Sequence, residues 1–78
     1  MYNNISTNQY VIVATWDCKV YMGLLLANTS NYVVIKNVEV YELGVTTKTY
    51  MIPRIAIDKA AIELMTPVKY MPIEERLY

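Results

Sequence analysis

The sequence predicts an all-β domain, a small barrel of five short, strongly bent antiparallel strands. Two observations predict this fold. Val, Ile, Thr and Tyr dominate residues 10–57, and these β-branched and aromatic side chains favour strands. The 78 residues contain only 2 glycines and 3 prolines, so the segments that separate the strands must be few and tight.

The first two strands are expected between residues 10 and 28. Strand-forming residues run from Tyr10 to Trp16, after which Asp17 and Cys18 begin a tight turn. The second strand is predicted from about Lys19 to Asn28. The polar segment that follows, residues 28–31, is rich in side chains that bond to their own backbone, and it predicts the next turn.

The remaining three strands follow at similar spacing. The third is predicted over Tyr32–Glu42, with a connection around Gly44, and the fourth over Thr47–Ile57. Pro53 has no N–H to donate, so it must lie at an edge, a bend or a bulge. A short fifth strand is predicted over Ala61–Met65, which completes a meander that bends into a barrel.

The second strand is apolar on both of its faces. One face carries Val20, Met22, Leu24 and Leu26, and the other carries Tyr21, Gly23, Leu25 and Ala27. A strand in a free-standing antiparallel sheet alternates apolar and polar residues, so both faces here are expected to be covered. The barrel core covers one face and another subunit is the expected cover of the other. A glycine in mid-strand predicts the sharp bend of a small barrel or, alternatively, a simple bulge.

Composition indicates one domain that associates with copies of itself. We expect an N-terminal arm over residues 1–9, the barrel over residues 10–66 and a C-terminal tail over residues 67–78. Hydrophobic residues make up 55% of the chain and charged residues 18%, which is more apolar surface than so small a domain can bury alone. Seven Lys and Arg balance seven Asp and Glu, so no global positive field favours indiscriminate binding to DNA.

Several chemistries are not expected. The chain has no histidine and 1 cysteine, so it lacks a Ser-His or Cys-His pair, a conventional zinc site and a disulfide. We therefore predict no enzyme activity, no metal and no cofactor. The N-terminus lacks the regions of a secretory signal and the longest apolar run, Val20–Ala27, is too short to span a membrane, so we expect a cytoplasmic protein with no membrane partner.

Two stretches resemble a known family. Residues 11–39 carry alternating apolar residues, a hairpin at Trp16–Lys19, an apolar-x-x-Gly pattern at Val20–Gly23, and the apolar run Val33–Ile35 before Val38 and Glu39. This pattern resembles the first Sm motif of the Sm-like (LSm/Hfq-type) proteins. Residues 57–65 stand where the second motif lies but lack its Arg-Gly pair; Lys59, Ile62 and Pro67 are similar to the bacterial Hfq version, with Ala60 in place of its histidine.

The resemblance implies an SH3-like barrel of the Sm type that assembles head to tail. Strand four of one subunit would pair with strand five of the next and close a homo-oligomeric ring of about five to seven copies. The resemblance also implies that the ring binds single-stranded RNA as a scaffold or chaperone. A structural or protein-interaction ring that has lost RNA binding is the alternative, and a monomeric SH3-like peptide-binding module is a third hypothesis.

The resemblance places the RNA-binding residues at two loops. A base would stack on Tyr32 and bond to Asn31, and Lys59 or Arg54 would neutralise its phosphate. The loop before Val33 is one residue shorter than in the family, so Tyr32 stands where the family has an Asn. The alternative is that Asn31 only shapes the turn, Tyr32 only begins a strand and Lys59 is a solvated turn residue.

Overall fold

The computed structural model describes residues 5–68, and these form one antiparallel sheet of five strands. The strands are β1 (Tyr10–Thr15), β2 (Lys19–Asn28), β3 (Tyr32–Glu42), β4 (Lys48–Asp58) and β5 (Ile62–Pro67). A single 3-10 turn, Lys59–Ala61, joins β4 to β5. The five predicted strands are confirmed, each to within two residues at its ends. Residues 1–4 of the expected arm and residues 69–78 of the expected tail lie outside the described residues.

The strand order corrects the expected meander and its closure. β1 to β4 follow one another as predicted, but β5 pairs with β1, which gives the order β4-β3-β2-β1-β5. The side chain of Asp58 accepts a hydrogen bond from the Ala60 backbone N–H at 3.2 Å and starts the 3-10 turn that redirects the chain. Within residues 5–68 the sheet is therefore open, and β4 and β5 are its two edges.

The core lies on one face of the curved sheet. It contains buried apolar residues from all five strands: Val11, Val13, Tyr21, Leu25, Val33, Ile35, Val38, Val40, Ile57, Ile62 and Met65. In β2 the buried face is the one that carries Tyr21, Gly23 and Leu25. The opposite face of β2, from Val20 to Leu26, is half-buried, so within this chain neither face of the strand is fully exposed.

The sheet bends along a line that crosses β2, β3 and β4. In β3 the inward residues are two apart up to Ile35 and then jump three to Val38, past Asn37, whose φ of 52° lies in the left-handed region. In β4 the inward residues Ile52 and Ile55 are likewise three positions apart. Lys36 pairs with Arg54 and Val38 pairs with Ile52, so the wider spacing in β4, at Pro53, lies beside the one in β3. Both strands thus carry one extra residue at the same height, which turns the sheet.

Gly23 permits this bend. A Cβ added at Gly23 would lie 2.6 Å from the carbonyl oxygen of Lys36 and 3.4 Å from Val38, so only glycine lets β3 come so close to β2. The pairing of β2 with β3 shifts register at this point, between Met22 and Leu24. The register shift at Gly23 agrees with the bulge that the sequence offered as the alternative, and the close approach of β3 is compatible with the expected bend.

Candidate functional site

The structure brings three of the four predicted site residues to one end of the sheet. Asn31 and Tyr32 end the β2–β3 turn, where the Thr29 hydroxyl accepts hydrogen bonds from their backbone N–H groups at 3.2 and 3.0 Å. Tyr32 pairs with Asp58 across β3 and β4, and the Lys59 N–H donates to the Asn31 carbonyl at 2.9 Å. The two loops are therefore joined through their backbones.

Arg54 does not belong to this group. It lies on β4 opposite Lys36, four residues before Asp58, which is about 13 Å along an extended strand. Tyr32 keeps 44% of its surface exposed, whereas Lys59 is half-buried. This end of the sheet therefore presents the exposed ring of Tyr32 beside two turns that are hydrogen-bonded to each other. The guanidinium of Arg54, which was offered as a phosphate ligand, does not lie at this end.

A second feature is β4 itself, the strand that the resemblance expected to pair with strand five of a neighbouring subunit. β4 is 11 residues long, is hydrogen-bonded within the described chain only to β3, and buries fully only Ile57. Ile52 and Ile55 pack against the core and hold the strand in place. The exposed side chains include two large apolar ones, Met51 at 55% and Tyr50 at 41%.

A polar cluster fixes the beginning of β4. The Tyr50 hydroxyl donates to a Glu42 carboxylate oxygen at 2.7 Å, and the same oxygen lies 3.8 Å from the Lys19 ammonium. Lys19 is also 3.9 Å from Asp17, on the β1–β2 turn. The hydrogen bond to Glu42 raises the pKa of Tyr50, with smaller contributions from burial and from the charge of Glu42. The pKa of Tyr21, which lies near Tyr50, is also raised, mainly because the Tyr21 side chain is buried.

The other edge strand is shorter and less apolar. β5 has 6 residues, of which Ile62 and Met65 face the core. Leu64 is its one large exposed apolar side chain, at 50%. Glu63 is exposed beside it, at the point where the pairing with β1 shifts register. Of the two free edges, β4 therefore offers the longer and more apolar surface.

Two negative findings hold for the described part of the chain. Residues 5–68 contain no group of three or more His, Cys, Asp or Glu side chains that could hold a metal ion. They also contain no helix long and apolar enough to cross a bilayer.

Comparison with known proteins gives one fold relative of interest. No protein-family model matches the sequence, and no curated protein matches it. A solved structure described as the crystal structure of the NatC complex bound to CoA contains a chain of the same fold, with a TM-score of 0.66 and 16% sequence identity. The superposition covers 92% of this chain and 88% of that chain. At this identity the likeness shows the fold alone.

The comparison corrects the function expected from the sequence. The similar chain comes from the NatC complex, which its description does not present as an RNA-binding ring of identical subunits. The predicted function, a homo-oligomeric Sm-like ring that binds single-stranded RNA, is wrong on this finding, and so is its alternative, a ring that has lost RNA binding.

Proposed function

We propose that this chain is a non-catalytic, protein-binding subunit of a larger complex, and that it binds its partner by strand addition at β4. The observation that carries the proposal is the free β4 edge, an 11-residue strand with exposed apolar side chains and no partner on its outer side within the described residues. Such an edge presents unpaired backbone N–H and C=O groups, which an extended segment of another protein can satisfy.

Two further observations support strand addition. Ile52 and Ile55 pack on the core and Tyr50 is bonded to Glu42, so β4 is held in an extended form before any partner arrives. A preformed edge costs less ordering entropy on binding than a flexible one. The fold relative is itself one chain of a multi-chain assembly, the NatC complex, which is the kind of setting proposed here.

We also propose that the open sheet is a variant of the SH3-like, Sm-type fold. The order β4-β3-β2-β1-β5 and the bend at Gly23 support this relationship, because they extend the sequence resemblance seen at residues 11–39. The proposed partner is a different protein. The absence of histidine from the chain supports a binding role over a catalytic one.

The test compares matched substitutions at the two edges. Met51→Lys and Leu64→Lys each place a charge at an apolar residue that is about half exposed, at 55% and 50%, on β4 and β5 respectively. Tagged full-length chain and both variants are purified from the source cells, and the co-purified proteins are quantified by mass spectrometry. Burying a Met side chain contributes about 1.5–3 kcal/mol, so Met51→Lys should lower the affinity for the partner by roughly ten-fold or more. The partner should still co-purify with Leu64→Lys.

Hydrogen exchange on the reconstituted complex gives an independent result. The partner should slow exchange at backbone amides of β4 and leave those of β5 unchanged. Strand addition at this edge would be refuted if the partner still co-purified with Met51→Lys and the β4 amides exchanged as fast in the complex as in the free chain. Both variants should melt within a few degrees of the wild type, because both side chains are exposed.

A further inference from the structure

Two cations lie directly opposite each other beside the free β4 edge. Lys36 of β3 pairs in register with Arg54 of β4. Directly opposed residues of an antiparallel pair project from the same face, with Cβ atoms about 4.5–5.5 Å apart, so the two positive charges repel. Inward-facing Ile35 and Ile55 are their chain neighbours, which places both cations on the outer face.

No acid compensates this pair among the described residues. Among residues 5–68 Lys19 makes ion pairs with Asp17 and Glu42, whereas neither Lys36 nor Arg54 makes an ion pair or side-chain hydrogen bond in this part of the chain. Arg54 is exposed and Lys36 is half-buried. The fold therefore tolerates a concentrated positive charge at one point of β4, immediately beside the bend at Pro53.

The position of this charge opposes pairing between two copies of β4. Pro53 is the central residue of Lys48–Asp58. If two β4 edges paired antiparallel about Pro53, each Arg54 would be set opposite Ile52 of the copy, although Arg54 projects from the outer face and Ile52 packs on the core. The two Arg54 residues would lie diagonally across the new strand pair, about 7–8 Å apart, and each Lys36 would lie one strand further away.

We propose that the Lys36–Arg54 pair makes the β4 edge selective: it disfavours the β4 edge of a second copy and selects a partner strand that carries a carboxylate beside Arg54. This inference rests on the proposed function, since it requires strand addition at β4. The occupant is fixed by charge complementarity. An Asp or Glu on the added strand would lie next to the guanidinium and relieve its repulsion with Lys36, whereas a cation at that position would be rejected.

The first experiment selects the partner chemistry directly. Random twelve-residue peptides are displayed and selected against the full wild-type chain, and the enriched peptides are measured by fluorescence anisotropy against wild type, Arg54→Glu, Arg54→Gln and Lys48→Gln. Lys48→Gln is the control matched to Arg54→Gln, because it removes an exposed cation of the same strand without setting a carboxylate opposite Glu42. The enriched peptides should contain an acidic residue. Arg54→Glu should weaken their binding at least ten-fold, Arg54→Gln should weaken it more than Lys48→Gln, whose effect should be less than three-fold, and Lys in place of the peptide acid should restore binding to Arg54→Glu.

The outcomes separate selectivity from strand addition. Peptides that slow hydrogen exchange in β4 but bind wild type and Arg54→Glu equally would overturn the charge selectivity and leave the proposed function standing. If no selected peptide protects β4, both proposals fail. Binding of oligo-U by wild type that is lost in Arg54→Glu, without peptide binding, would assign the cations to a nucleic acid and overturn the inference.

A second experiment tests the rejection of a second β4 edge, in the Leu64→Lys background that places a charge on the β5 edge. Arg54→Gln removes the guanidinium charge and leaves Lys36 as the one cation of each pair, so the repulsion between two β4 edges is lost. Sedimentation velocity over a concentration series should give Arg54→Gln a dissociation constant for self-association at least ten-fold lower than that of the Leu64→Lys parent, with Lys48→Gln unchanged. A parent that self-associates as tightly as Arg54→Gln would show that the pair does not oppose this contact.

Discussion

Replacing Gly23 by Ala tests the close approach on which the bend depends. The added Cβ would meet the carbonyl oxygen of Lys36 at 2.6 Å and Val38 at 3.4 Å. The first contact is to backbone within a paired strand, so it cannot be relieved by a side-chain rotation. β3 must move away from β2, or the bend must open, and either change strains the core that contains Val38.

The magnitude follows from two opposing terms. Overpacking a well-packed interior costs about 1–3 kcal/mol. Replacing glycine restricts the unfolded chain and returns about 0.4–1 kcal/mol. The net loss in the free energy of unfolding should be roughly 1–2 kcal/mol, and in a domain of this size 1 kcal/mol lowers Tm by about 4–8 °C. We therefore expect Gly23→Ala to melt roughly 4–16 °C below wild type.

Gly44 provides the control. A Cβ at Gly44 would have its nearest neighbour, the Thr46 carbonyl oxygen, at 3.9 Å, which is ordinary contact in an exposed loop. Gly44→Ala should leave the free energy of unfolding unchanged or raise it by less than about 1 kcal/mol. Both variants are measured by urea denaturation and by circular dichroism melting. A Gly23→Ala variant as stable as Gly44→Ala would refute the account of the bend.

Three further predictions concern stability. Leu25 is fully buried, so Leu25→Ala should cost about 2–5 kcal/mol in urea denaturation, and a loss below 1 kcal/mol would contradict its place in the core. Cys18 has a φ of 64° and is exposed, so Cys18→Gly should relieve left-handed strain of about 1–2 kcal/mol, while the freer unfolded chain offsets about 0.4–1 kcal/mol; Tm should rise slightly, and a lower Tm would count against that strain. The pKa values of Tyr21 and Tyr50 are raised above the ordinary 10.0, so the folded state holds these protons more tightly than the unfolded state. The resulting stability is complete below pH 10 and is lost as pH rises through the raised pKa values; urea titrations between pH 9 and 11 should show this decline, less steep in Tyr21→Phe, and a flat profile would exclude it.

The strand boundaries could be predicted because short-range chemistry sets them. β2 and β3 have the predicted limits since residues 28–31 contain side chains that satisfy a turn, and the Thr29 hydroxyl indeed bonds to the backbone of Asn31 and Tyr32. Pro53 was expected at an edge, a bend or a bulge, and it lies on an edge strand at a bend. These features depend on residues that are neighbours in the chain.

The partner of β5 within the chain could not be predicted in the same way, and only the family resemblance, which paired strand four with strand five of the next subunit, implied that β4 and β5 are edges. Pairing of β5 with β1 joins residues about fifty positions apart, and the alternation within β5 is equally compatible with β4 as its neighbour. The extra residue at Asn37 and its counterpart at Pro53 shift the inward positions in both strands together. A strict two-residue period therefore assigns part of β3 and β4 to the wrong face.

The candidate site also combines residues whose grouping could be predicted from the sequence with one whose position could not. Asn31, Tyr32 and Lys59 are joined because two turns meet at one end of the sheet, which the resemblance anticipated. Arg54 was grouped with them only through its charge. Its actual neighbour is Lys36, a residue that no local pattern connects to it because the two are paired across strands.

Apolarity on both faces of a strand does not by itself reveal what covers the second face. In β2 the face opposite the core is half-buried within this chain, so the surplus apolar surface expected to require other subunits is smaller than the sequence suggests. The exposed large apolar side chains within residues 5–68 lie instead in turns and at strand edges: Tyr50 and Met51 are on β4, Leu64 is on β5, Tyr32 begins β3, and Trp16, Leu43 and Val45 are in the connections between strands. β4 is left as an open edge within residues 5–68, and an open edge with a cation pair at its centre favours an acidic strand over the β4 edge of a second copy.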